Sequence, residues 1–225
     1  MNYYAVIVAG GSGKRMGSEI PKQFLPLRGR PVLMHTIERF AKYRPDMNII
    51  LVLPAHQIDR WQALCKEHSF SIVHKIVHGG STRFDSVKNG LKQIQDDGVV
   101  AIHDGVRPLV SRQTINRTFI EAAVYGSAIP VTDSTQSVRI IDDGGISHAV
   151  NRSSVVLVQT PQVFKTSLIL SAYEQSYNDM FTDDASVVEA AGAHVHLTHG
   201  NIENVKITTK DDMLYAEAVM PLIVD

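Results

Sequence analysis

The chain has one cysteine in 225 residues, Cys65, so no internal disulfide braces it. Cys65 falls in a helical pattern with Trp61 and Leu64, which makes it a small core residue rather than a nucleophile. Net charge is equally scarce. Lys and Arg total 22 against 23 Asp and Glu, a balance of -1. That excludes a chain-wide basic field for nucleic acid or an anionic membrane, so any anion must be met by local clusters. Long hydrophobic runs are missing: no stretch approaches the ~20 apolar residues of a membrane span. The opening MNYYAVIVAGG has neither the cationic start nor the apolar length of a signal peptide. These absences lead to the expectation of a cytoplasmic protein, folded as one domain over residues 1–225, that binds neither membrane nor nucleic acid.

What is present is alternation. Apolar, β-branched runs occupy residues 3–9, 48–53, 71–77, 99–103, 127–131 and 155–159, then 195–198 followed by 205–208. Between them, apolar residues recur at helical spacing, as in Val32, Leu33, Ile37 and Phe40, or Phe84, Val87, Leu91 and Ile94. Strand and helix in turn predict an α/β fold: a mostly parallel twisted sheet with helices on both faces. Residues 132–152 break the rhythm. SVRII, DDGG and ISHAV spell two alternating runs around a turn, a β-hairpin poor in large apolar residues. Such a hairpin projects, and a second copy of the chain is its simplest partner.

In open α/β sheets the ligand crevice lies beyond the carboxyl ends of the strands. The first strand run ends in AGGSGKRMG, with Lys14 and Arg15 among glycines, and Lys22 follows in PKQFL. Glycines let backbone amides approach a ligand, and the cations suit a phosphate. The loop is not GxxxxGK[ST], and Gly11, Gly13 and Gly17 are spaced one residue too long for the dinucleotide fingerprint. After the third run, GGSTRFDSVKNGL offers Ser81 or Thr82 as a helix cap and Ser86 one turn on; capping and ligand binding both remain open there. After the fourth, AIHDGVRP sets Asp104 at a strand end, where it can hold a Mg²⁺–phosphate complex or a ribose hydroxyl, with Arg107 near it. His194, His196 and His199 have no cysteine nearby and no four-residue helical spacing, so they read as solvent-facing imidazoles rather than a zinc site.

In order and spacing, AGGSGKRMGSEIPKQFLPL, HDGVRP, VNR, QTPQVF, TDDASVVE and NVKITTKDD resemble the 2-C-methyl-D-erythritol 4-phosphate cytidylyltransferases of the non-mevalonate isoprenoid pathway. The likeness runs from Ala5 to about Glu217. It implies a Rossmann-like nucleotidyltransferase fold and a homodimer formed through a β-arm at about 132–156. It also implies transfer of a cytidylyl group from CTP to a small phosphorylated sugar alcohol, 2-C-methyl-D-erythritol 4-phosphate. Mg²⁺ would be bound mainly through the CTP phosphates, without a dedicated protein metal site.

Carried over residue by residue, Arg15 and Lys22 match transition-state cations, Arg152 matches the arm arginine that holds the substrate phosphate of the neighbouring subunit, and Lys206 matches the last phosphate-binding lysine. Ala9, Gly10, Gly11, Gly80, Ser81 and Ser86 match nucleotide contacts, although Ser81 stands where an acid is common. Asp104, Gly105 and Arg107 match the segment between nucleotide and acceptor. Thr160 matches a substrate contact, Thr182 another, and either Ser134 or Thr135 an arm threonine.

The chemistry suits this inventory. A phosphate monoester is already anionic at neutral pH, so no general base is needed, and catalysis reduces to positioning and charge stabilisation. The nearest alternative is a ribitol or ribulose 5-phosphate cytidylyltransferase, which shares PKQFL, the arm and TPQ. A glycosyltransferase would want an Asp-x-Asp motif after a central strand, and a silent nucleotide-binding module would not need the five charged matches together.

Overall fold

The computed structural model describes residues 1–10 and 20–223; Gly11 and Arg15 lie outside that range. Strand β1 (Asn2–Val8) is followed by a 3-10 turn at Lys22–Phe24 and a ribbon of β2 (Pro26–Leu27) and β3 (Arg30–Pro31). Alternation then continues through α1 (Val32–Tyr43), β4 (Asn48–Leu53), α2 (Ile58–Glu67), β5 (Lys75–His78), α3 (Arg83–Leu91), β6 (Gly98–Asp104), α4 (Arg112–Tyr125) and β7 (Ser127–Asp133). The hairpin is β8 (Arg139–Ile141) and β9 (Ser147–Ala149). The chain returns as β10 (Val156–Val158), β11 (Gln162–Lys165), α5 (Thr166–Ala172), α6 (Asp184–Ala190), β12 (Leu197–His199) and α7 (Lys210–Val219).

The main sheet runs β10-β7-β11-β6-β1-β4-β5, with β12 also on β7. From β6 to β5 every pairing is parallel. This is the half that the sequence predicts, because strands covered on both faces carry apolar residues consecutively. In β1, Ala5 and Ile7 belong to one core with Leu33, Phe40, Trp61 and Phe119, while Tyr4 and Val6 belong to the other with Phe84, Val87, Ile169 and Val188. The period of two along the strand thus divides the molecule into two helical layers. Cys65 is half-buried against the first layer, and burial pushes its thiol up to about 11.

The other half departs from expectation. β11 enters antiparallel between β6 and β7, and β10 pairs antiparallel with β7, so the sheet is mixed. Strand β5 begins at Lys75 rather than at residue 71. Residues 205–208 form no strand. Their alternation has another cause: Ile207 donates its N–H to the Val106 carbonyl at 2.9 Å and drops its side chain into a small third core with Leu27, Val32 and Ala216.

The hairpin forms as expected and stands outside the main sheet as a two-stranded unit. Asp142 Oδ1 accepts from the amides of Gly144 and Ile146 and so closes the turn. Ile140, Ile141 and Ile146 are exposed along it. Among the described residues no helix is long and apolar enough to cross a membrane.

Candidate active site

The topology sets where a cleft can form. From β1 the chain steps outward to β4 and β5, then crosses back so that β6 lies on the other side of β1. At such a reversal the loops leave in opposite directions and a crevice opens above the strand ends. That crevice holds about 320 Å³ and is walled by Ala9 and Gly10 after β1, Pro54 after β4, residues 79–82 after β5 and Asp104 at the end of β6. Lys22, Gln23, Arg83, Ser86 and Lys206 complete it, and Asp104 is its one carboxylate among the described residues.

Local chemistry fixes each wall. Gln23 is wholly buried and donates from Nε2 to the Ala9 carbonyl at 2.9 Å and to Gln57 Oε1 at 2.7 Å, tying the PKQF turn to the end of β1. Thr82 caps α3 in a reciprocal capping box with Asp85. Ser86 Oγ accepts from the Gly80 amide at 3.0 Å and donates to the Thr82 carbonyl at 2.9 Å, holding the loop against its own helix. A Cβ on Gly80 would collide with Asp85, and one on Gly105 would meet Ala9 Cβ at 2.8 Å. Only glycine lets these two loops approach so closely.

Asp104 is the electrostatic centre. Its Oδ2 receives Lys206 Nζ at 3.0 Å and Arg107 Nε at 3.1 Å. Burial alone would raise its carboxyl; Lys206, Arg83 and Arg107 outweigh that and hold it well below the ordinary carboxylate range. Among the described residues, Oδ1 has only Arg83 Nε within ion-pair distance, at 3.9 Å. A carboxylate with one oxygen that no described residue bonds fits a Mg²⁺ ion that brings most of its own ligands as phosphate oxygens and water. No group of three His, Cys, Asp or Glu side chains among the described residues would hold a metal by itself.

Below Asp104 lies a neutral relay. Thr160 Oγ1 accepts from the Asp104 amide at 3.1 Å and lies 3.1 Å from His103 Nδ1, while His103 Nε2 lies 3.1 Å from the Arg107 carbonyl. A carbonyl only accepts, so Nε2 carries the proton and Nδ1 accepts from the threonine hydroxyl. Burial pushes the His103 imidazole down to about 4, despite the Arg107 carbonyl and Asp104; Arg107 and Lys206 add to the lowering. The native form therefore resists a proton that the unfolded chain accepts near pH 6.5.

Stability from His103 is complete above that pH and is lost as pH falls toward 4, by at most about 3 kcal/mol. Urea unfolding at pH 7, 6 and 5 should show a shallower pH dependence in a His103→Asn variant than in the parent. Equal slopes would contradict the assignment.

Beside the first cleft lies a second, open groove of about 1020 Å³, lined in part by Arg107, Thr135, Gln159, Asn204 and Lys206. Lys206 lines both. Of the residues singled out in the sequence, Ala9, Gly10, Lys22, Gly80, Ser81, Thr82, Ser86, Asp104 and Lys206 line the first cleft. Gly105 packs beneath it, Arg107 faces the groove, and Thr160 is buried in the relay. Arg152 is exposed and lines neither; its Nη1 donates to the Thr135 backbone carbonyl at 3.3 Å. His196 pairs with Glu121 at 3.1 Å. Arg83 was not singled out. Its signal was a cation in the first turn of a helix, where the macrodipole disfavours one.

A twisted α/β sheet with a polar, cation-walled crevice at its switch point is the Rossmann-like architecture of a nucleotidyltransferase. The sequence profile of the 2-C-methyl-D-erythritol 4-phosphate cytidylyltransferase family matches residues 3–221. The enzyme of that description from Bacteroides fragilis is 56% identical over 216 residues, 96% of this chain and 98% of the relative. The crystal structure of 4-diphosphocytidyl-2C-methyl-D-erythritol synthase from Anaerococcus prevotii superposes with a TM-score of 0.83 at 31% identity, covering 98% of this chain and 96% of that one. The Thermus thermophilus cytidylyltransferase gives 0.78 at 29% identity, covering 98% of this chain and all of its own. The chain belongs to the 2-C-methyl-D-erythritol 4-phosphate cytidylyltransferase family.

Proposed function

We propose that the protein transfers the cytidylyl group of CTP to the phosphate of 2-C-methyl-D-erythritol 4-phosphate, giving 4-diphosphocytidyl-2-C-methyl-D-erythritol and pyrophosphate. The observation that carries this reading is the shared wall: Lys206, bonded to Asp104 at 3.0 Å, faces the strand-end cleft on one side and the open groove on the other. CTP takes the cleft and the acceptor phosphate takes the groove. An acceptor phosphate oxygen forms a bond to the α-phosphorus as the bond from that phosphorus to the β-phosphate oxygen breaks, and pyrophosphate leaves with the electron pair. The attacking oxygen is already anionic, so the protein's work is to overcome repulsion and hold the line of attack.

Lys22 and Arg15 stabilise charge on the α-phosphate and the leaving pyrophosphate. Ala9, Gly10, Gly11, Gly80 and Ser81 hold the nucleotide, with Ser86 keeping the Gly80 loop in shape. Asp104 is the carboxylate that would hold a Mg²⁺ ion, which would supply further neutralisation of phosphate charge. Arg107 and Lys206 fix Asp104 between the two substrates. The chain acts as a single domain whose arm, residues 132–156, pairs with a second copy and delivers Arg152 to the partner's groove. Support for that arrangement is the arm's exposed isoleucines and the position of Arg152 outside both clefts of its own subunit. A cytoplasmic location suits an enzyme that consumes CTP.

Pyrophosphate release with CTP and MgCl₂ tests the function, with 2-C-methyl-D-erythritol 4-phosphate and ribitol 5-phosphate offered in parallel. Release with the first alone supports the reading; release with ribitol 5-phosphate alone replaces the acceptor; release with neither overturns the transferase assignment. Arg152→Ala should raise KM for the acceptor by about tenfold or more, the cost of losing a charge-assisted phosphate contact, and leave KM for CTP within about twofold. An effect confined to CTP would contradict its assignment.

A further inference from the structure

The charged groups around Asp104 do not meet it alike. Lys206 and Arg107 bond Oδ2, whereas Arg83 stops 3.9 Å short of Oδ1, beyond hydrogen-bond length. Arg83 is held back from behind. Its Nη1 and Nη2 donate to the two oxygens of Asp184 at 2.9 and 2.6 Å, and the Tyr173 hydroxyl donates to Asp184 Oδ1 at 2.6 Å. Asp184 is wholly buried. Tyr173 also stacks on Phe84, the residue after Arg83, with ring centroids 4.6 Å apart, so α5, α6 and the start of α3 form one rigid seat.

This seat is poorly explained by stability. Arg83 is the first residue of α3, where the helix dipole opposes a cation, and burial opposes its charge as well, though Asp184 keeps it protonated. A buried ion pair is rarely better for stability than an apolar replacement. Nor is Asp184 needed as a cap, because Asp183 already caps α6. What the arrangement achieves is a fixed stand-off.

We propose that Asp184 and Tyr173 tether Arg83 so that Oδ1 of Asp104 stays open to the bound nucleotide complex. The inference rests on the assignment of the cleft to CTP. With the tether cut, Arg83 closes the short gap to Oδ1 and occupies the oxygen that the ligand uses. Asp184 and Arg83 are then positioning residues, and Asp184 acts only through the arginine.

The test is CTP binding by calorimetry in MgCl₂ without acceptor, followed by kinetics. Asp184→Asn should weaken CTP binding by about tenfold or more and raise KM for CTP in step, with KM for the acceptor within about twofold. The double variant Asp184→Asn with Arg83→Gln removes the arginine that blocks Oδ1, and should bind CTP at least about threefold more tightly than Asp184→Asn alone. A residue that merely holds the fold together gains nothing from the second substitution. Unchanged affinity in Asp184→Asn, or a double variant no better than the single one, overturns the proposal. If Asp184→Asn does not fold, Tyr173→Phe keeps the ring stack and removes one hydrogen bond. It should weaken CTP binding by about two- to threefold, and an unchanged affinity overturns the proposal. Failure of the parent protein to bind CTP would overturn the nucleotide assignment itself, which separates the two outcomes.

Discussion

Lys22→Ala lowers kcat by about a hundredfold or more, with the fold intact. Lys22 lies in a buried 3-10 turn, is only 8% exposed, and lines the crevice at the end of β1. Its backbone does not wander, because Gln23 is bonded to Ala9 and Gln57, and Phe24 stacks on Trp61 with ring centroids 6.2 Å apart. A preorganised cation at the site where a triphosphate gathers charge contributes about 3–4 kcal/mol to the transition state, judged by the loss of single donors in other enzymes. Steady-state rates at saturating CTP and acceptor measure it, with circular dichroism to check folding. Lys22→Arg should recover only part of the rate, since a planar fork does not replace a compact ammonium. A loss under about fivefold in Lys22→Ala would remove the residue from the mechanism.

Lys206→Ala should cost about a hundredfold in kcat/KM for the acceptor, some 2.7 kcal/mol, and shift the pH profile as well. The two effects have one cause. Lys206 is the largest of the three cationic influences that hold the Asp104 carboxyl low against burial, so its loss raises that carboxyl. A raised carboxyl takes up a proton at higher pH. The acid limb of the pH–rate profile therefore moves toward neutrality in the variant, while the parent's limb lies further into acid. Rates from pH 4.5 to 8 test this. An unmoved limb together with a loss under about fivefold would detach Lys206 from Asp104 in function.

The parallel half of the fold was legible because its physical cause is local. Strands covered on both faces must be apolar at successive positions, and β1, β4 and β6 are. β11 was not legible: it is four residues long and follows a proline, too short for any period to register. The 205–208 run misled because a segment that buries alternate residues in a small side core looks like a strand without pairing as one.

The site divides in the same way. Asp104 could be found because strand ends mark crevices. Arg83 could not be assigned, since its meaning depends on Asp184, 101 positions away, and GGSTRFD is complete as a helix cap without it. Thr160, expected at a substrate, turns its hydroxyl to the relay beneath Asp104.

Strand β1 lies between β4 and β6, with Tyr4 opposite Asn48 on one side and Val100 on the other. The first neighbour is made soon after β1 emerges during synthesis; the second arrives only when the chain is nearly half complete. Until then one edge of this central strand offers its unpaired amides and carbonyls to any other chain. The strand that closes this edge is also the one that ends in Asp104. The nascent molecule thus covers that unpaired edge and gains the centre of its crevice in one event, and synthesis that stops before residue 98 leaves a fragment with neither protection nor site.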